Sequence, residues 1–147
     1  MHFEGTVNIK APRAEVWAFL TDPNKVAQCA PGVETVEILI PNQKFRATAA
    51  IGLGSIKARF SGDAEFVDLD APNRATLKAH GNAPGSAVDM TSEMFLSDGS
   101  DGTTEMKWTA DVVVLGTLAS LAARLMSSVT QKLTAEFFNC FKKKIEA

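Results

Sequence analysis

The stretch from Gly116 to Ala147 constrains the fold most. After its first position it has no glycine or proline, and apolar side chains recur at Leu118, Leu121, Leu125, Val129, Leu133, Phe137, Phe141 and Ile145. Steps of three and four place these residues on one face of a helix. At 1.5 Å per residue such a helix runs about 45 Å, roughly the length of the domain itself. A long amphipathic helix at the end of a strand-rich chain predicts a sheet wrapped around it, with room for a cavity between the two.

The rest of the chain supplies that sheet. Phe3, Gly5, Val7 and Ile9 alternate with Glu4, Thr6 and Asn8, the period of a half-buried strand. Ala11-Pro12 stops it. Arg13 to Leu20 reads as a short helix striped by Val16, Phe19 and Leu20, and Pro23 to Cys29 as a second one. After the Ala30-Pro31-Gly32 turn, strands are predicted around 36–40, 45–51, 56–66, 75–79, 88–96 and 106–114, separated by turn-forming residues. The stretch from His80 to Ser86, with two glycines and a proline, reads as a loop or bulged edge. Strands linked in series and then a helix indicate an α+β domain spanning 1–147. One-sided alternation implies one covered face and one wet face.

The chain has 147 residues, enough for one domain with a sizeable core, and a net charge of −2 with acids and bases interspersed. Nucleic-acid binders are distinctly basic, so that class is excluded. No apolar run reaches the ~18 residues of a spanning helix, and Met1 to Gly5 has no signal-peptide pattern. The expectation is a cytoplasmic protein whose membrane contact, if any, is peripheral. Cys29 and Cys140 are the only cysteines, and in that setting they are expected as free thiols.

The order of elements resembles the START-like (SRPBCC) helix-grip superfamily, the fold of pollen allergens. This implies a curved antiparallel sheet of about seven strands around the long helix. More specifically the chain is similar to the CoxG family of carbon monoxide dehydrogenase subunits. The matching pieces are Ala11-Pro12 with Val16-Trp17, Leu20-Thr21-Asp22-Pro23, and Cys29-Ala30-Pro31-Gly32-Val33-Glu34. Further on come Phe60-Ser61-Gly62-Asp63-Ala64, the Gly81 to Ala87 segment, and Trp108-Thr109-Ala110-Asp111-Val112 with Gly116-Thr117-Leu118-Ala119. The resemblance implies an accessory protein of a molybdenum hydroxylase such as CO dehydrogenase. Such proteins are linked to recruiting the enzyme to the cytoplasmic membrane and to handling a respiratory quinone in the helix-grip cavity. Some relatives carry a C-terminal extension that aids attachment. This chain stops at Lys142-Lys143-Lys144-Ile145-Glu146-Ala147, so a weaker, peripheral contact is expected, through these lysines or the apolar tip Gly52-Leu53-Gly54.

Catalytic and metal patterns are poor. There is no Gly-x-Ser-x-Gly, Cys-x-x-Cys or His-x-x-x-His, and no tyrosine. Asp63, Glu65, Glu93, Glu105 and Asp111 fall on the wet side of their strands. The expected ligand-binding set is instead apolar: Phe60, Phe66, Met90, Met94, Met106, Trp108 and Val112 from the sheet, and Leu118, Leu121 and Leu125 from the helix. Phe19 and Leu53 are expected at the opening. Ala58, Gly62, Ala64 and Ala110 on the same face would leave space for a guest, with no covalent cofactor or metal. An apolar pocket of this kind suits a quinone or another hydrophobic small molecule. Two other readings of the same chain are a polyketide-cyclase-like enzyme with an inward acid–base pair, and a ligand-free docking or maturation factor with a filled core.

Overall fold

In the first helix, α1 (Arg13–Leu20), Pro12 sits at the N-cap position and Glu15 in the first turn. The second, α2 (Pro23–Cys29), begins with Pro23, and the Asp22 carboxylate accepts from the backbone N–H groups of Asn24 and Lys25 at 3.0 and 3.5 Å. Side-chain acceptors and an initial proline are what a short helix uses to satisfy its first N–H groups. The computed structural model describes residues 1–146, apart from the Leu53 side chain.

The strands are β1 (His2–Ile9), β2 (Val33–Ile40), β3 (Lys44–Leu53), β4 (Ile56–Asp70), β5 (Arg74–Ala83), β6 (Ser86–Asp98) and β7 (Thr104–Gly116). They form a 7-stranded antiparallel sheet in the order β1-β7-β6-β5-β4-β3-β2. The first strand therefore pairs with the last, and α1 and α2 carry the chain from one edge of the sheet to the other. The helix α3 (Ala119–Ile145, 27 residues) lies along the inner face, about 40 Å long at 1.5 Å per residue. Lys142, Lys143 and Lys144 fill its last turn, where the helix dipole favours cations.

Two expectations are corrected. The His80–Ser86 segment is not a loop: β5 continues to Ala83, β6 starts at Ser86, and Pro84-Gly85 alone makes the turn, with Gly85 at φ +74°. Gly81 and Ala83 have weak strand preferences. Gly81, however, pairs with Gly62 of β4 on one side and Val88 of β6 on the other, and Ala83 pairs with Ser86, so cross-strand pairing overrides propensity. Nor are the cysteines free. Cys29, at the end of α2, and Cys140 of α3 form a disulfide, with Cα atoms 5.4 Å apart and a sequence separation of 111. Packing of α2 against α3 brings together two residues whose proximity no local pattern reveals.

The closed core occupies one end of the molecule. Ile9, Ala11, Val16, Phe19 and Cys29 meet Ala75, Met94, Leu96, Met106 and Phe141 there. Phe141 is wholly buried, its ring centroid 4.9 Å from that of Phe19 and 6.0 Å from that of Phe137. Thr104 closes this end, its hydroxyl donating to the Ala11 carbonyl at 2.7 Å. The Lys10 amide donates to the Glu146 carboxylate at 2.8 Å, tying the end of α3 to the end of β1.

Candidate ligand-binding site

Away from that core the inner face is differently covered. Ala47, Ala49, Phe60, Leu77, Met90, Ala110 and Val114 lie on inward positions of β3 to β7, yet each is only half-buried. Leu118, Leu121, Leu125 and Val129 in the first half of α3 and its lead-in are half-buried too. Among the described residues, Ala58, Ser86, Val112 and Ala122 are buried in this half. A helix pressed onto a sheet would bury the others as well, so α3 covers this half of the inner face incompletely and leaves a half-open apolar space.

Three glycine turns mark the open end: Gly54 (φ +65°), Gly85 (φ +74°) and Gly116 (φ +90°). Each adopts the left-handed backbone that side chains disfavour. Residues 56–60 of β4 lie beyond the first β4–β5 pair, Ser61 with Asn82, so the β3–β4 hairpin projects past its neighbours. It curls over the helix, with the Gly54 Cβ position 3.2 Å from the Leu125 side chain. On the other side Ser86 anchors the start of α3. Its hydroxyl accepts from the Leu118 amide at 3.0 Å and lies 3.1 Å from the Thr117 hydroxyl. Sequence reasoning missed this anchor, because nothing local distinguishes Ser86 from a turn residue.

The expected lining residues divide. Phe60, Met90, Val112, Leu118, Leu121 and Leu125 belong to the half-open part. Phe66 and Trp108 pack at its boundary with the closed core, while Met94 and Met106 lie within that core. Phe19 is a correction: it is packed against Phe141, far from any opening, because the α1 stripe faces the core. The Leu53 side chain lies outside the described residues. The small residues need a finer reading. A Cβ at Gly62 would collide with the His80 carbonyl and stand 2.6 Å from Gly81 Cα. Gly62 is therefore required by the close approach of the β5 backbone, not by a need for space in the cavity. Likewise a Cβ at Gly5 would fall 2.8 Å from the Trp108 indole nitrogen, so Gly5 leaves room for the indole to lie across β1.

The space is chemically plain. The inward Ser92 hydroxyl donates to the Thr109 carbonyl at 3.0 Å, and among the described residues no buried side-chain nitrogen or oxygen lacks a partner. Charge is confined to the outer face. There Arg46 meets Asp63 at 2.9 Å, His80 meets Asp89 at 2.6 Å and His2 meets Asp111 at 2.7 Å. Hydrogen bonds to Asp89 and Asp111 raise the pKa values of His80 and His2 above the ordinary histidine value, and the Arg46 hydrogen bond lowers that of Asp63. Among the described residues no group of three or more His, Cys, Asp or Glu is placed to hold a metal, and no helix is long and apolar enough to cross a membrane. Two surface depressions, of about 320 Å³ on the outer sheet face and about 520 Å³ beside Cys140, include only Met90 of the expected set.

The CoxG family of carbon monoxide dehydrogenase subunits matches the sequence over residues 5–146. The chain belongs to that family. Its fold recurs in a conserved protein from Geobacillus kaustophilus, at a TM-score of 0.90 and 25% identity, over 99% of this CoxG-family chain and 95% of that one. The Zhui aromatase/cyclase from a Streptomyces species shares the fold at a TM-score of 0.76 and 20% identity, over 99% and 93% of the two chains. A START superfamily protein from Mycobacterium smegmatis does so at 0.76 and 11%, over 99% and 97%. No curated protein matches the CoxG-family chain.

Proposed function

We propose that this CoxG-family protein is a non-catalytic carrier. It holds a hydrophobic molecule, a respiratory quinone or similar prenyl lipid, in the half-open space between α3 and the sheet. It presents that molecule between the cytoplasmic membrane and a molybdenum hydroxylase of the CO dehydrogenase kind. The observation that supports this most is the incomplete cover of a mostly apolar inner face beside a closed core. Burial of a guest there is worth ~25 cal/mol per Å² before ordering costs are deducted.

The open end is the side for membrane approach. Ile56, 48% exposed, stands beside the Gly54 turn, whereas Lys142 to Lys144 lie at the opposite end of a helix about 40 Å long. The two expected membrane elements therefore lie apart along that helix. Against the cyclase-like enzyme reading, Asp89 and Asp111 point to the outer face and are engaged by His80 and His2. That reading requires Asp89→Asn or Asp111→Asn to abolish turnover of a polyketide-like substrate.

The test is titration of the Trp17→Phe variant with a short-chain quinone. Trp108, at the boundary of the space, remains as the reporter. Saturable quenching is expected, along with a 1:1 quinone complex by native mass spectrometry that Leu121→Trp abolishes. Linear, unsaturable quenching with no complex by mass would reject the carrier and leave the docking factor.

A further inference from the structure

We propose that the Cys29–Cys140 disulfide is an exchangeable redox site, entered by an anionic low-molecular-weight thiol through the groove on the outer side of α3. The two cysteines are unequally exposed. Cys29 is 5% exposed and belongs to the closed core, whereas Cys140 is half-buried and lines a depression of about 520 Å³. The other residues of that depression are Glu136, Asn139, Lys143 and Lys144. Glu136 lies four residues before Cys140, and Lys143 and Lys144 three and four residues after it, so helical geometry sets all three on the side of the helix that bears the sulfur.

Thiol–disulfide exchange is governed by access to one sulfur and by the supply of thiolate at it. Here the groove admits a thiolate to Cys140 alone, and the two ammonium groups concentrate an anionic thiol beside it while Glu136 sets the limit of that attraction. In the first step the incoming thiolate bonds to the Cys140 sulfur. The Cys29–Cys140 bond breaks, and its electron pair leaves with Cys29, which takes a proton from solvent. In the second step another thiolate attacks the non-protein sulfur of the mixed disulfide. A small-molecule disulfide leaves, and Cys140 remains as a thiolate next to Lys143 and Lys144. Two electrons pass from two thiols to the protein, and the small-molecule disulfide takes them back by the reverse route.

The site also has a structural output. The disulfide ties α2 to α3 at the rim of the closed core, and that core is the hinge side of the half-open space. Redox state thus sets how firmly α3 is held over the sheet. This site stands on its own chemistry, whatever the inner space carries.

The experiment uses the full chain purified without reductant. Before any thiol is added, iodoacetamide should label neither cysteine. Brief exposure to reduced glutathione, then acid quench and alkylation, should place glutathione on Cys140 and the alkyl group on Cys29. The double variant Lys143→Glu/Lys144→Glu should slow exchange with glutathione about tenfold but slow neutral 2-mercaptoethanol less than about twofold. Alkylation of both cysteines at the outset, glutathione on Cys29, or equal slowing of both thiols would each overturn the proposal.

Discussion

Replacing Phe141 by alanine probes the closed core, and replacing Leu121 by alanine probes the half-open space, so the pair measures how unevenly the interior is filled. Phe141 has no exposure, and the rings of Phe19, Phe137 and Phe138 lie 4.9, 6.0 and 6.3 Å from its own. Its loss removes the transfer energy of a buried ring and leaves a cavity that three other aromatics cannot collapse into. Such truncations cost about 3–5 kcal/mol. The aromatic contacts place this one in the upper half, at about 4 kcal/mol. Leu121 is half-buried beside space that is already open. Its truncation creates no new cavity and forfeits only a partial transfer term, about 1 kcal/mol. For a chain of this size each kcal/mol lowers the melting temperature by about 3 °C, which gives falls of about 12 °C and about 3 °C. Thermal unfolding followed by far-ultraviolet circular dichroism, with no added lipid, reads both. Equal falls would mean that the interior is packed from end to end, and the argument for a half-open space would fail.

Three further outcomes follow from the same structure. Gly62→Ala should destabilise strongly or abolish folding, because its methyl group would meet the β5 backbone, whereas Gly81→Ala, whose added methyl would have its nearest neighbour 3.8 Å away, should cost little; comparable melting temperatures for the two would discount that close approach. His80 has a raised pKa through its hydrogen bond to Asp89, so its contribution to stability is complete below about pH 6.5 and fades as pH rises through the higher folded value. Asp89→Asn should return the His80 ring titration, followed by NMR, toward the ordinary value, and an unchanged titration would mean that the pair does not hold. Reduction of the disulfide, which links positions 111 apart, should lower unfolding stability by up to about 5 kcal/mol in the chain-entropy account, read as a shift in urea midpoint with and without reductant; no shift would mean that the tie does not constrain the unfolded chain.

The architecture was legible because the two periods are unmixed. Strands alternate from Phe3 onward, and the α3 stripe runs unbroken from Leu118 to Ile145, so element type and the buried face could both be read locally. Three features were not legible for a common reason. The continuation of β5 through Gly81, the Cys29–Cys140 bond and the burial of Phe19 against Phe141 all depend on partners remote in sequence. The site was legible as a face and not as a volume. Periodicity identified Phe60, Met90 and Leu121 as inward, yet it identified Met94 and Met106 in the same way. Only the extent to which each residue is covered separates lining from core. Gly62 illustrates the limit: its smallness suggested space, whereas it answers the close approach of the β5 backbone.

The pairing of the first strand with the last has a consequence for synthesis. His2 meets Asp111 across β1 and β7, and the closed core joins Ile9, Val16 and Phe19 to Phe141. While the domain is being made, β1 has no strand to pair with until β7 has left the ribosome, and the closed core lacks Phe141 until the end. Contacts of such long range slow folding and leave unpaired strand edges exposed in the meantime. Folding of this domain is therefore an event of its completed length, and its early strands depend for their protection on whatever shelters nascent polypeptides.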